Sequence, residues 1–203
     1  MVPMRRVAAL AVLGLSTLVT SGCLPIAATG VAVGALAVTD RRSVGAQTED
    51  TEIEVKASNR LSEVFKNANS VSVTSYNRRV LITGQLPNAA ARAEAERAVR
   101  RAPGIRDVYN EIEVGNVVSS STSASDTSIT AKVKTAFLEQ KALSTTAVKV
   151  VTENSVVYLM GLVTQAEGSA YAGVASRVNG VKRVVTLFEY VTQEELAKRT
   201  GQK

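Results

Sequence analysis

Few side chains in this sequence could take part in covalent or acid–base chemistry. The 203 residues include no histidine, so the usual general base and the commonest metal ligand are both missing. The chain has one cysteine, Cys23, and no glycine-rich phosphate-binding loop. Carboxyl pairs occur in polar segments, where a solvated helix surface explains them; they are Glu52/Glu54, Glu94/Glu96 and Glu194/Glu195. The sequence therefore predicts no enzyme, no metal site and no cofactor.

Cys23 has a sequence context that suits one reaction, the acylation of its thiol. Basic residues near the N-terminus precede an apolar run, and the small residues Ser21 and Gly22 come directly before the cysteine. A basic start, an apolar core and a small-residue cleavage site are typical of a secretory signal peptide, here over residues 1–22. With cysteine as the first mature residue, the pattern resembles a bacterial lipobox. The alternative is an ordinary secreted protein with a free cysteine.

Charge and hydropathy limit the partners that the chain can have. The formal net charge is +6, and removal of Arg5 and Arg6 with the signal peptide leaves +4. This excess is too small for a nucleic-acid-binding face but allows a modest attraction to anionic lipid head groups. No apolar span reaches the roughly 20 residues that a transmembrane helix needs. We interpret residues 23–48 as an acylated spacer near the membrane surface, with shallow insertion of residues 24–38 as the alternative.

Two segments of the chain repeat each other. Val71, Val73, Asn77 and Gly84 correspond at a constant spacing of 77 to Val148, Val150, Asn154 and Gly161, and Gly104 corresponds to Gly180 at a spacing of 76. Repetition at a fixed period indicates two copies of one structural unit. The predicted boundaries are 49–116 and 126–192, with a serine-rich linker at 117–125 and a polar tail at 193–203.

Each repeat reads as helix, strand, strand, helix, strand. Apolar residues at helical spacing open both copies, namely Ile53, Ala57, Leu61 and Val64, then Ile129, Val133, Ala136 and Phe137. Asparagine turns at residues 77 and 154 join two β-branched runs. Second helices are expected at 88–102 and 165–178, and closing strands at 106–114 and 182–191.

Helix-start signals refine this assignment. Asp126 is placed as the N-cap of the first helix of the second repeat, and Thr164 with Glu167 forms a capping box for the second helix. Because a strand–helix–strand step requires a right-handed crossover, the last two strands of each repeat cannot form a hairpin. The sequence predicts an α+β fold in which each domain packs a three-stranded mixed sheet on two helices. Whether the two domains pack together is left open.

The order α-β-β-α-β, with a glycine in the second strand, resembles the BON domain. The similarity continues from the cysteine motif through residues 39–45, 108–112, 148–150, 152–154, 159–164, 175–178 and 180–184. The whole chain is similar to the dual-BON outer-membrane lipoproteins, a family associated with division, outer-membrane stress and lipid binding. This resemblance implies a lipid anchor on Cys23 and anionic phospholipid binding by the second domain. Leu24, and not an aspartate, follows Cys23, so the resemblance also implies sorting to the periplasmic leaflet of the outer membrane.

The resemblance places lipid contact on the first helix of the second domain. The outer positions expected to touch phospholipid are Ser128, Ala131, Lys132, Lys134, Thr135, Leu138 and Lys141. Arg177, Lys182 and Arg183 would add to this set if they share the face. Ser128 stands where the family has a tryptophan, so binding should be weaker here, or shifted toward Leu138. The alternative is a solvated helix with ordinary lysines.

Three functions remain open on the sequence alone. The first is a lipid-anchored protein that binds anionic phospholipid and supports outer-membrane integrity. The second is an anchored adaptor that binds an envelope protein through its strand edges or its first domain. The third is a periplasmic stress-protective protein with no defined ligand. Vesicle binding separates the first from the others, and nucleic acid is not an expected partner of any of them.

Overall fold

The computed structural model describes residues 40–65, 70–115 and 120–200, and only the backbone at 120, 121 and 200. The predicted signal peptide, Cys23 and residues 24–39 lie outside the described residues, as do 117–119 of the predicted linker and 201–203 of the tail. Within the described ranges, no helix combines the length and the apolar character needed to cross a bilayer.

The first repeat folds as two helices on one side of a mixed sheet. Its elements are α1 Val44–Val64, β1 Val71–Tyr76, β2 Arg79–Leu86, α2 Ala89–Val99, β3 Asp107–Asn110 and β4 Glu113–Val114. Strand β1 pairs antiparallel with β2, while β3 and β4 both run parallel to β2. The single closing strand predicted at 106–114 is therefore broken at residues 111–112, where the Ile112 side chain is buried.

The second repeat has the same arrangement with an unbroken last strand. Its elements are α3 Ser120–Glu139, β5 Val148–Glu153, β6 Val156–Val163, α4 Gln165–Ala175, β7 Arg183–Tyr190 and α5 Gln193–Thr200. Strand β6 lies in the centre, antiparallel to β5 and parallel to β7. The predicted α+β class is confirmed.

The helical stripes read from the sequence form the two helix–sheet cores. In α1, Ile53, Ala57 and Leu61 are buried, and alternate residues of β2 such as Val80 and Ile82 pack against them. The equivalent residues of α3 and β6 form the second core; they are Ile129, Val133, Phe137, Val157 and Leu159. Ala136, predicted as part of this stripe, is only partly buried.

The two domains pack sheet against sheet, which answers the question that the sequence left open. A third apolar cluster joins residues of both sheets, namely Tyr76, Leu81, Val156, Tyr158, Met160, Leu162 and Leu187. Every residue of β6 is buried because helices cover one side of the strand and the other domain covers the opposite side. The helices α1 and α2 therefore lie on one outer surface of the protein, and α3 and α4 lie on the other.

Three predicted irregular segments are helical where the structure describes them. Helix α1 begins at Val44, inside the predicted spacer, because Ser43 caps it by accepting a hydrogen bond from the Ala46 amide at 3.1 Å. Helix α3 begins at Ser120, so the linker prediction is wrong for residues 120–125. Helix α5 occupies most of the predicted tail. Thr192 and Glu195 cap its first turn, and Leu196 within the helix is buried.

Candidate functional site

The outer face of α3 and the turn that follows it carry the seven residues predicted to contact lipid. Ser128, Ala131, Lys132, Lys134, Thr135, Leu138 and Lys141 are all exposed. Leu138 is 68% exposed, the highest value among the large hydrophobic residues that the structure describes. The helix, with the turn at Lys141, therefore presents a polar and basic surface with one prominent aliphatic side chain.

The structure separates these seven residues into two groups. Ser128, Ala131, Lys132 and Thr135 line an open groove of about 480 Å³ between α3 and the end of α4. Lys134, Leu138 and Lys141 lie outside the groove lining, toward the C-terminal end of α3. The groove thus holds one lysine and two hydroxyl groups, and the second group holds two lysines and the exposed leucine.

Sequence reasoning missed the opposite wall of the groove, which Val178 and Asn179 provide. They approach α3 because Gly180 follows them with φ of +101°. A Cβ at Gly180 would lie 3.1 Å from Cγ1 of Ile129, so a larger residue would push this wall away from the helix. The repeat identified the glycine but gave no sign that it brings Asn179 to the groove.

Two further residues of the groove were also missed, and one predicted contributor is placed elsewhere. Ala136 and Glu139 complete the lining, and Glu139 adds a carboxylate one helical turn from Thr135. Arg183 does not share this face, because its guanidinium lies 3.8 Å from Glu111 of the first domain. Arg177 is exposed directly before the groove wall, whereas the Lys182 amide bonds to Ser155 in the hairpin turn.

Asp126 fixes α3 on the sheet, and the prediction that it caps the helix is wrong. It lies within α3, is 6% exposed, and accepts hydrogen bonds from the amides of Asn154 and Ser155, both at 2.8 Å. Those two residues have φ of 49° and 65°, so their turn points both amides toward the carboxylate. Asp126 therefore binds the helix to the β5–β6 turn, and the helix begins further upstream.

The C-terminal half of α3 is held by aromatic packing. Phe137 meets the Tyr171 ring of α4 edge to face, with ring centroids 5.0 Å apart. The Tyr171 hydroxyl donates to the Ser144 carbonyl at 2.8 Å and accepts from the Ser144 amide at 3.0 Å. Burial raises the pKa of Tyr171, and the hydrogen bond with Ser144 opposes that rise. The loop after α3 is thereby fixed, and Leu138 is exposed on a rigid support.

Polar contacts at the edges of the domain interface follow an approximate two-fold relation. The Asn77 side chain of the first domain donates to Glu189 at 2.9 Å, and Asn154 of the second donates to Glu113 at 2.8 Å. Burial raises the pKa of Glu189, but hydrogen bonds from Arg106 and Asn77 outweigh it, and the net pKa is lowered. Each hairpin turn therefore docks on the closing strand of the other domain.

The segment before α1 contacts both domains. Arg41 forms a bidentate pair with Glu167 of α4, at 2.6 and 2.9 Å, and donates to the Leu162 carbonyl at 2.8 Å. Arg42 donates to Asp50 of the first domain at 2.6 Å and lies over the Tyr76 ring, 4.0 Å from its centroid. Sequence analysis included this segment only as part of a family resemblance.

The residues that the structure describes form no cluster of side chains suited to acid–base or metal chemistry. Among those residues no group of three or more Cys, Asp or Glu side chains is placed to hold a metal ion. Glu153 lies between the domains, where burial and then the nearby Asp126 and Glu113 raise its pKa while Gln85 opposes the rise. The described features favour binding at the α3 face.

Comparison with known proteins gives the same two-domain division. The sequence matches the BON domain over residues 49–116 and again over 125–192. It is 35% identical to the "Outer membrane lipoprotein DolP" of Haemophilus influenzae, over 90% of this chain and 95% of that protein. It is 34% identical to the "21 kDa hemolysin" of Actinobacillus pleuropneumoniae, over 75% of this chain and 79% of the other.

A solved structure is also similar, at a lower level. The C-terminal domain of CdsD, a structural protein of the type III secretion system of Chlamydia trachomatis, covers 68% of this chain and 96% of that domain. The identity is 10% and the TM-score 0.29, which is too low to show a shared arrangement.

Proposed function

The chain belongs to the BON-domain family, and from that membership we propose that it is a lipid-anchored, non-enzymatic protein of the outer membrane that binds anionic phospholipid. The acyl group is attached to Cys23, and the protein faces the periplasm. The second domain makes the lipid contact through the outer face of α3, and this contact supports the integrity of the membrane.

The observation that carries the proposal is the exposure of all seven predicted residues on α3 and the turn that follows it. Lys132, Lys134 and Lys141 are exposed, so their ammonium groups can meet head-group phosphates. Each lysine near an anionic surface contributes about 1 kcal/mol. The groove beside Lys132 supports the same reading, since its hydroxyl and amide groups suit the polar part of a head group.

Weak lipid affinity is sufficient because the anchor supplies proximity. A short tether raises the effective concentration of the domain at the bilayer to the millimolar range. Acyl chains contribute about 0.8 kcal/mol for each buried methylene and so determine residence. The α3 face then determines which lipids the protein associates with. Because Ser128 takes the place of an aromatic residue, this association is reversible.

Vesicle flotation of the unacylated protein, lacking residues 1–23, tests the proposal directly. We expect flotation with vesicles that contain phosphatidylglycerol, little with pure phosphatidylcholine, and a loss of binding as salt is raised. The double change Lys132→Glu and Lys134→Glu should abolish binding. Equal flotation with both lipids would contradict the proposal and favour the protein-adaptor alternative.

A charge-matched control separates a specific face from general attraction. Lys56→Glu with Arg60→Glu changes the net charge by the same amount on α1, where both side chains are exposed on the opposite outer surface. This control should float like the unchanged protein. The anchor is tested separately, since incorporation of labelled palmitate should be lost in Cys23→Ser.

A further inference from the structure

The topology brings several chain segments to one end of the protein. Strands β6 and β7 are parallel, so Val163 and Tyr190 end side by side. Helix α4 starts directly after β6, and the loop after α3 leads into β5 next to Gly161. The C-terminal end of α3 and the N-terminal end of α4 therefore share the end at which Arg41 binds Glu167.

The first domain contributes its hairpin turn to the same end. Arg79, which follows that turn in β2, donates to the Phe188 carbonyl at 2.9 Å, and Asn77 of the turn donates to Glu189 beside it. Asp50 in α1 accepts from the turn amides, so the N-terminus of α1 is also located here. We call this surface, which carries Arg41, Val44, Leu138 and Tyr190, the tether end.

Exposed hydrophobic residues are concentrated at the tether end. Among the described residues, the large hydrophobics that are exposed are Val44, Val55, Val114, Leu138 and Tyr190. Val44, Leu138 and Tyr190 are at the tether end, at 56%, 68% and 50% exposure. Val55 is midway along α1, and Val114 pairs with Leu86 at the opposite end of the sheet.

The chain reaches the folded body at this same end. Asp40 to Ser43 are held there by both domains, and residues 24–39 connect them to Cys23. Those residues span at most about 55 Å when fully extended. The opposite end lies about 30 Å further along α1. Contact of the opposite end with the bilayer would use about 30 Å of that length, so an anchor on Cys23 favours the tether end.

We propose that the tether end is the surface that meets the lipid bilayer, with Leu138 and Tyr190 at the level of the head groups. This inference rests on the lipid anchor of the proposed function. Tyrosine suits that level because its ring is apolar and its hydroxyl is polar. The orientation tilts α3, so that Leu138 and Lys141 lie deepest in the head-group layer, and Ser128, about 15 Å further back along the helix, lies at its outer edge.

Arg41 acts as a positioning residue in this arrangement. Its bidentate pair with Glu167 joins the tether to the second domain, while Arg42 joins it to Asp50 of the first. With both contacts present, the segment that leads from Cys23 is attached to both domains at the tether end. Without the Arg41 contact, the segment is held only by the first domain, through Arg42 and Asp50, so the second domain and Tyr190 are held less closely to the lipid.

The absence of tryptophan from the sequence allows a direct test. Acylated full-length protein carrying one of Leu138→Trp, Tyr190→Trp or Val114→Trp is incorporated into phosphatidylethanolamine and phosphatidylglycerol vesicles with brominated acyl chains. Val114 is a matched control because its 53% exposure is close to the 50% of Tyr190. We expect blue-shifted, strongly quenched emission at positions 138 and 190 and none at 114. Equal quenching at all three positions, or the strongest at 114, would overturn the proposal.

A second set of variants tests the positioning role. Arg41→Ala in the Tyr190→Trp background should lower the quenching toward the value at position 114, with membrane association kept by the anchor. Arg100→Ala, which breaks an exposed pair on α2, should leave the quenching unchanged. Unchanged quenching in Arg41→Ala contradicts the positioning role.

The outcomes also distinguish this inference from the proposed function. If the unacylated protein fails to float while position 190 is quenched in the acylated protein, anionic lipid binding is refuted and the orientation stands. If flotation succeeds but positions 138 and 190 are not quenched, the α3 face binds lipid in a different orientation.

Discussion

Asp50 and Asp126 make the same contact in the two domains. Each lies inside the first helix of its domain and accepts hydrogen bonds from two successive amides of the β-hairpin turn. Asp50 accepts from Asn77 at 2.7 Å and Arg78 at 2.8 Å, and Asp126 accepts from its two turn amides at 2.8 Å. Positive φ angles at both turn residues of each hairpin make this contact possible. A buried carboxylate therefore joins helix and hairpin in both copies of the fold.

Removal of either carboxylate should destabilise the protein. Asp126→Ala leaves two turn amides without their acceptor, and we expect a loss of about 2–3 kcal/mol in the free energy of unfolding. Asp50→Ala should cost more, because Asp50 also accepts from Ser75 and from Arg42. Urea unfolding followed by circular dichroism measures both losses.

The matched control for these variants is an exposed acid on the same helix. Glu52→Ala in α1 removes a carboxylate that contacts only the exposed Lys56, so the urea midpoint should hardly move. If Asp126→Ala also left the midpoint unchanged, the carboxylate–turn contact would contribute nothing to stability.

Glycine at Gly84 is required by close backbone contact. Its φ is +122°, and a Cβ there would lie 1.9 Å from the Ser70 carbonyl oxygen. Gly84→Ala should therefore cost about 3 kcal/mol or more. In contrast, a Cβ at Gly173 on α4 has its nearest neighbour at 3.8 Å, and Gly173→Ala should stabilise the protein by about 0.5–1 kcal/mol. Thermal unfolding of the two variants should give shifts of opposite sign.

The repeat made much of the fold predictable from the sequence. Paired glycines and asparagines at constant spacing located both hairpins, and the stripe of Ile129, Val133 and Phe137 located the buried side of α3. The outer face of that helix followed from the same periodicity, so all seven predicted surface residues are exposed. Local pattern was sufficient here because each of these features depends on residues within one element.

Features that depend on distant contacts could not be predicted. Asp126 follows a serine-rich segment and reads as a helix cap, yet its partners are turn amides that lie 28 and 29 residues away. Asn179 reaches the groove only because Gly180 lets its loop approach Ile129. Sheet-on-sheet packing was equally hidden, since a fully apolar strand such as β6 is also typical of a strand covered by helices alone.

The half-buried Glu153 should make the domain interface sensitive to pH. Its folded-state pKa is raised above the ordinary value of 4.5, first by burial and then by Asp126 and Glu113. A raised folded-state pKa means that stability is fully present below the unfolded pKa and is lost as the pH rises through the folded pKa. Glu153→Gln should therefore raise the melting temperature at neutral pH, with an advantage that disappears below about pH 4.

The control for this variant uses an acid whose pKa is shifted the other way. The pKa of Glu167 is lowered, since hydrogen bonds from Arg41 and Thr164 outweigh its burial. Its contribution to stability is present above the unfolded pKa and is lost as the pH falls through the folded pKa. Glu167→Gln should then lower the melting temperature at neutral pH, and this difference should also vanish in acid. If both variants shifted the melting temperature in the same direction at neutral pH, the opposite pKa shifts assigned to Glu153 and Glu167 would be contradicted.

An aromatic residue at position 128 should strengthen lipid binding. Ser128 is exposed at the groove, and Ser128→Trp adds an interfacial ring without removing a charge. Burial of that ring in the head-group region should tighten binding of the unacylated protein to phosphatidylglycerol vesicles by about 1–2 kcal/mol, roughly ten-fold. Flotation across a lipid titration measures the change. Ser58→Trp is the matched control because Ser58 is exposed on α1, on the opposite outer surface. It should bind like the unchanged protein, and an equal gain from both variants would mean that added tryptophan, and not the α3 face, determines the affinity.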